Sequence, residues 1–144
     1  MSELVLLAQI AGRRVALRAK EVHSVVELDT VTPVPRTPDF IAGLAALRSR
    51  ALTVVDCRRS LELPTDEAAR DREAVVVEHQ TQLYALLVDG VDDVVAVEGE
   101  AAQVPGDYGT GWERIARSMV ETPRGPALMI DVGALVSGPV ARAA

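Results

Sequence analysis

Apolar residues fall in runs of four to eight along the chain, each closed by Gly, Pro, Asp or a charged pair. That punctuation reads as short strands joined by turns. Residues 5–10 and 15–17 flank Ala11-Gly12-Arg13-Arg14, which predicts a hairpin, and residues 75–77 and 83–88 flank His79-Gln80-Thr81-Gln82, which predicts a second. Residues 52–55 and 128–130 are two further strands, each entering a short helical stretch, at 58–61 and 131–136. One turn of helix is expected over 38–42, with Thr37 as its N-cap. The charged segment 65–72 follows Pro64, has no apolar period and reads as an exposed linker or frayed helix dividing the chain nearly in half.

The two halves repeat each other. Glu21-Val22-His23-Ser24-Val25-Val26 matches Gly90-Val91-Asp92-Asp93-Val94-Val95 in its apolar positions, 69 residues apart. Val54-Val55-Asp56-Cys57 matches Met129-Ile130-Asp131-Val132, 75 residues apart. Self-similarity of this kind signals a repeated structural unit, here of about seventy residues and mostly strand. Valine-rich strands also resemble one another by chance, so the pattern alone leaves that alternative standing. If the repeat is real, two small barrels pack face to face, each filled by its own side chains. Any cleft would then lie between them, and neither unit buries enough apolar surface to be stable alone.

Composition narrows the function. The 144 residues are 49% hydrophobic and 25% charged, ordinary for a globular protein. A net charge of −6 argues against a nucleic-acid surface, whose affinity comes mainly from Lys and Arg. It also discourages non-specific membrane contact. Lys20 is the only lysine. Cys57 stands alone in an apolar strand, so an intramolecular disulfide and a thiolate cluster are both excluded, and a buried inert thiol is expected. The opening apolar run is interrupted by Gln9 and the Arg13-Arg14 pair. It is too short for a signal peptide or a membrane span, and a cytoplasmic protein is expected.

Candidate chemistry is sparse. His23 and His79 fall in different halves, with no HExxH or CxxC spacing to make a metal site. His79 sits by a hairpin turn, where solvation is expected. His23 and Ser24 are neighbours in a strand and so point to opposite faces, badly placed to pair. The run Asp89-Gly90-Val91-Asp92-Asp93 interleaves carboxylates with core residues and suits a turn entering a strand better than a calcium loop. The Gly-rich stretch at 105–112 lacks the following Lys of a phosphate loop and reads as a flexible connection into a strand over 115–120. Asp56 and Asp131 occupy equivalent strand ends, where capping the next helix accounts for both. No cofactor is implied.

What remains unusual is Thr32-Pro33-Val34-Pro35-Arg36-Thr37-Pro38, three prolines that stiffen an extended segment unable to join the middle of a sheet. It leads into an apolar stretch ending at Arg48. An arginine so placed is either held by its packed stem and a carboxylate or backbone partner, or solvated at a strand end.

From Pro35 through Phe40-Ile41-Ala42-Gly43-Leu44-Ala45-Ala46-Leu47-Arg48, and on through Leu52-Thr53-Val54-Val55-Asp56, the chain resembles the signature of CheW-like domains. That signature is a proline, a short helix, Ile-x-Gly, a Leu-Arg-Gly turn and a strand ending in Val-Asp. Val88-Asp89-Gly90-Val91-Asp92-Asp93-Val94 resembles the family's second signature, and the resemblance extends over roughly residues 4–136. It implies a mainly β fold of two SH3-like five-stranded β-barrels related by a pseudo-twofold, with a few short helices. Subdomain 1 would span about 15–64 and subdomain 2 about 73–130, with terminal segments crossing between them.

The resemblance also implies a non-catalytic adaptor that couples a CheA-type histidine kinase, through its regulatory domain, to the cytoplasmic tip of methyl-accepting chemotaxis receptors. An apolar groove between the barrels would receive the receptor's helical hairpin, without nucleic acid and without direct membrane insertion. By position, Val22, Gly43 and Val91 match groove or interface sites, and Leu47 and Arg48 match the Leu-Arg turn. Ser24 stands where many members carry a Glu that meets the arginine. Arg48 is therefore expected to find Glu21, Glu27 or a kinase residue instead. Ser49 replaces the turn's Gly, which suggests a turn without a positive φ. The alternative is a small-ligand-binding protein or enzyme using the seam around His23, Asp56 and Asp131, and it requires a deep polar pocket there.

Overall fold

The computed structural model describes residues 3–64, 73–104, 106 and 108–139. The expected linker at 65–72 therefore lies outside the described residues, as do Pro105 and Asp107 of the Gly-rich connection. The first half holds β1 (Leu4–Ile10), β2 (Arg13–Arg18), β3 (Val22–Glu27), β4 (Ile41–Leu47), β5 (Arg50–Asp56) and α1 (Cys57–Ser60). The second holds β6 (Glu73–His79), β7 (Gln82–Leu87), β8 (Gly90–Ala96), β9 (Glu98–Ala102), α2 (Thr110–Ile115), β10 (Ala116–Thr122), β11 (Gly125–Ile130) and α3 (Val132–Ser137).

These strands form two sheets, ordered β3-β6-β7-β5-β4 and β8-β1-β2-β11-β10-β9. The mainly β, two-barrel expectation is met, with one barrel's sheet carrying an extra strand. The sheets are not sequential halves. Hairpin β1–β2 lies in the sheet of β8, β10 and β11, and hairpin β6–β7 lies in the sheet of β3, β4 and β5. Each repeat thus gives its hairpin to the other, so sheet membership does not coincide with the expected division at 15–64 and 73–130.

Register confirms the repeat residue by residue. Val22 pairs with Val77 as Val91 pairs with Ala8, and Val25 pairs with Val75 as Val94 pairs with Leu6. A bulge interrupts β3 and β8 at the same place, just after Val22 and just after Val91. The exchanged hairpins join their hosts by parallel pairs, Val54 to Ala85 and Met129 to Ala16. Asp56 and Asp131 cap α1 and α3, each accepting from the third helical amide at 3.2 and 3.1 Å.

Strand alternation sorts the core into three apolar clusters. Ala74 and Val76 face the interior of the five-stranded sheet with Leu52, Val54 and Ala85. Val5 and Leu7 face that of the six-stranded sheet with Ala16, Val120 and Met129. The intervening residues Leu6, Ala8, Val75 and Val77 turn the other way, into the largest cluster, with Val55, Leu86, Leu128 and Ile130. Phe40 and Trp112 lie there too. Strands apolar on both faces explain the unbroken hydrophobic runs, since each face is buried.

Two expectations are corrected and one strand is added. The Thr37-capped helix over 38–42 does not form; Thr37 donates its hydroxyl to the Val34 carbonyl at 2.8 Å and Ile41 opens β4. Gly43 and Ala45 are buried while Leu44 and Ala46 are exposed, a strand period hidden because every residue is apolar. The strand expected from 115 starts at Ala116 and is preceded by α2, whose Gly111 lets the backbone lie against the Leu61 carbonyl. Glycine there serves close approach, not flexibility. Finally, β9 was unforeseen because every residue in it is exposed. Its counterpart in the first repeat is the proline-rich segment, which makes a single bridge, Thr32 to Leu44. Prolines without N–H groups cannot continue the ladder.

Hairpin exchange makes each sheet depend on both halves. Fragments 1–64 and 73–144 are expected to be unfolded separately and to regain a cooperative melting transition when mixed. Circular dichroism checks this, and cooperative melting of either fragment alone would contradict the topology.

Candidate protein-interaction surface

The six residues matched by position lie on three outer or near-outer elements. Val22 opens β3 and Val91 lies in β8, the outermost strands of their respective sheets on one side. Both are half-buried and pack on the large central cluster, so they form apolar rim positions of the seam. The bulge after Val22 rotates the strand, so that Ser24 pairs with Val76, a residue of the five-stranded interior. The Ser24 hydroxyl is buried with no hydrogen-bond partner. His23 is exposed on the opposite face.

Gly43, in β4, is buried with φ +149°, and a Cβ there would collide with the Thr32 carbonyl. It is the seat of the proline-rich segment, whose Thr32 and Pro33 backbone lies directly against it. Leu47 ends β4 half-buried against the five-stranded interior. Arg48 follows at the tip of the β4–β5 hairpin, exposed, with φ 58°. Loss of the turn glycine therefore did not remove the left-handed residue, because Arg48 itself adopts that conformation. The expected pairing with Glu21 or Glu27 is absent, and among the described residues Arg48 makes no hydrogen bond or ion pair. Arg48 sits in the turn joining β4 to β5, strands at the far edge of the sheet order from β3.

Among the described residues the seam is filled rather than open. Its interior is the largest apolar cluster, with Leu17, Val55, Leu86 and Leu135 at no more than 1% exposure. The trio His23, Asp56 and Asp131 is not assembled there. Asp56 spends its oxygens on the Arg59 amide and guanidinium, and Asp131 spends its oxygens on the Ala134 amide and Arg117 at 2.9 Å. Burial alone would raise the Asp131 carboxyl, but the Ala134 amide and Arg117 outweigh it and hold the group below its ordinary value. It stays ionised as a cap. No group of three His, Cys, Asp or Glu suited to a metal occurs among the described residues. Cys57 is buried, as expected. His79 is half-buried beside Tyr84 and packs over Gly133, rather than being solvated.

Other features escaped sequence reasoning. Val25 and Val94, equivalent positions of the repeat, are 42% and 56% exposed, and Leu4 and Leu44 are likewise exposed apolar residues. Alternation inside valine runs gave no polar contrast to reveal them. Asp89 accepts from the Gly12 amide and from Arg58, both at 2.7 Å, tying the β1–β2 turn to α1. Burial raises its carboxyl, but those hydrogen bonds prevail and its pKa is lowered. A cavity of about 200 Å³ opens between Arg18, Lys20, Glu21, Arg117 and Asp131. Its residues come from distant parts of the chain, so no local motif announces it.

Residues 4–139 match the model of the CheW-like domain. The chain is 26% identical over 104 residues to the chemotaxis protein CheW of Bacillus subtilis, covering 72% of this chain and 67% of that one. It is 29% identical over 83 residues to the chemotaxis protein CheW of Rhizobium meliloti, covering 58% and 54%. The chain thus spans about half to two thirds of these relatives' length. A solved scaffolding protein, CheW of Thermoanaerobacter tengcongensis, superposes with TM-score 0.75 at 23% identity over 91% of this chain and 90% of that one, a likeness of fold.

Two measurements check the geometry. Gly43→Val should destabilise the fold by on the order of 2–4 kcal/mol, from backbone strain and overpacking against Thr32, read by denaturant unfolding. The lowered carboxyl of Asp89 stabilises the protein above its unfolded pKa, and that contribution is lost as pH falls through the folded value. Asp89→Asn should therefore melt lower at neutral pH yet lose less Tm than the wild type between about pH 5 and pH 3.

Proposed function

The chain belongs to the CheW-like domain family, and from that premise we propose that it is an adaptor coupling a CheA-type histidine kinase to methyl-accepting chemotaxis receptors. The family's proteins are non-catalytic scaffolds of chemotaxis. No helix among the described residues is long and apolar enough to cross a membrane. In this reading the protein works on the cytoplasmic side, recruited to receptor clusters by its partners.

The observation that carries the proposal is Arg48. A non-glycine residue at φ 58° is uncommon and mildly strained. Here the strain presents a cation at a hairpin tip where nothing in the described chain pairs with it. An exposed guanidinium so placed suits an external carboxylate. Leu47 anchors the tip, and Gly43, farther back in the same strand, seats the Thr32–Pro33 segment. Val22 and Val91 supply apolar contact at the rim of the seam, where an amphipathic helical hairpin can lie by helix-in-groove docking. Ser24, its hydroxyl unpartnered, stands close to that rim. With the seam interior filled, recognition on this reading is superficial, and the kinase's regulatory domain and the receptor tip share the surface of the two barrels.

Titration against the regulatory domain of a CheA-type kinase and against a receptor hairpin-tip fragment tests the reading. Wild-type protein is expected to bind both. Arg48→Glu should weaken at least one contact by about 1–3 kcal/mol. Unchanged binding to both would remove Arg48 from the interface, and failure of the wild type to bind either would remove the coupling role.

A further inference from the structure

The cavity lined by Arg18, Lys20, Glu21, Arg117, Ile130 and Asp131 adjoins the proposed receptor rim, because Glu21 precedes Val22 directly. Its charge is unlike that of the rest of the chain. Three cations face two carboxylates, on a protein whose net charge is −6. The carboxylate of Asp131 is already engaged by the Ala134 amide and Arg117. Arg18 makes only a loose, exposed contact with Glu3 at 3.6 Å. Lys20 is exposed and makes no hydrogen bond or ion pair among the described residues.

The internal repeat provides a control. The positions equivalent to Arg18, Lys20 and Arg117 are Leu87, Asp89 and Ala42, none of them cationic. The same frame therefore forms without these charges, and the fold does not require them. An unpaired ammonium in a dent beside an apolar rim suits an incoming carboxylate. The dent is open to water, so the gain is in orientation and encounter more than in affinity.

We propose that this cavity seats an acidic side chain of the helical receptor hairpin whose apolar face lies along the rim at Val22. The inference rests on the receptor-coupling reading and adds to it the charge chemistry of the partner. The hairpin carries an Asp or Glu next to its docked apolar face, and Lys20 with Arg18 and Arg117 receives it. This cationic spot gives an acidic adaptor, of net charge −6, a defined place to hold an acidic side chain of the helix.

The test uses the full chain and the cytoplasmic hairpin fragment of a methyl-accepting chemotaxis receptor from the same organism. Lys20→Glu should weaken binding of that fragment about threefold to tenfold and flatten its dependence on salt. Binding of the kinase regulatory domain should be unchanged. Charge reversal of one acidic residue on the fragment should restore part of the affinity for Lys20→Glu. If the wild type binds the fragment and Lys20→Glu binds equally well with the same salt dependence, the cavity's role is overturned while the coupling role stands. If the wild type does not bind the fragment at all, the receptor-coupling reading fails and takes this inference with it.

Discussion

Everything in the molecule follows from two hairpins that are buried on both faces. In β1 and β6 alternate residues fill a barrel interior while the residues between them fill the seam. Burying a single Val or Leu side chain is worth about 1.5–3 kcal/mol, and each strand does so on two sides. A hairpin committed to two cores cannot detach from one without exposing the other. The seam is consequently the strongest part of the structure, and its surface rim, not its interior, is what remains for recognition.

The polar groups near the seam act as fasteners. Arg114 donates to the Ala134 carbonyl and to Ser60, whose buried hydroxyl donates to the Leu135 carbonyl at 2.7 Å, so that α1, α2 and α3 are tied at one junction. Arg13 stacks over Tyr108 and Trp112. Asp89 joins the β1–β2 turn to α1. Each of these contacts ties one repeat to the other, and Arg114 adds a bond to Ala134 within its own repeat.

Much of the architecture was legible because the repeat is written in residues that do the same structural work in both copies. Val22 and Val91 precede equivalent bulges, and Asp56 and Asp131 cap equivalent helices. The two spacings of 69 and 75 differ because the β8–β10 connection, carrying β9 and α2, is longer than the one from β3 to β4. The resemblance implied that terminal segments cross between the barrels, but exchange of the β6–β7 hairpin was not legible, since pairing partners lie far apart and alternation looks the same in either sheet. Gly43 was singled out by resemblance, but its physical reason, the Thr32 carbonyl against it, is a tertiary contact. Arg48 was identified, yet its conformation reversed the expectation drawn from Ser49. The cations around Lys20 converge from β2, β10 and the turn between β2 and β3, and periodicity carries no trace of that.

The reciprocal hairpins also bear on how such a chain could arise. One repeat by itself has a hairpin with no host and a host with no hairpin, and two copies would satisfy each other only by dimerising. Joining them in one chain turns that encounter into an intramolecular one. A two-body association becomes a concentration-independent folding step. Fusion also frees the two copies to diverge, so that one keeps Asp89 as an internal tie while the other carries Lys20 at the surface. A symmetric dimer would have had to carry the same residue twice.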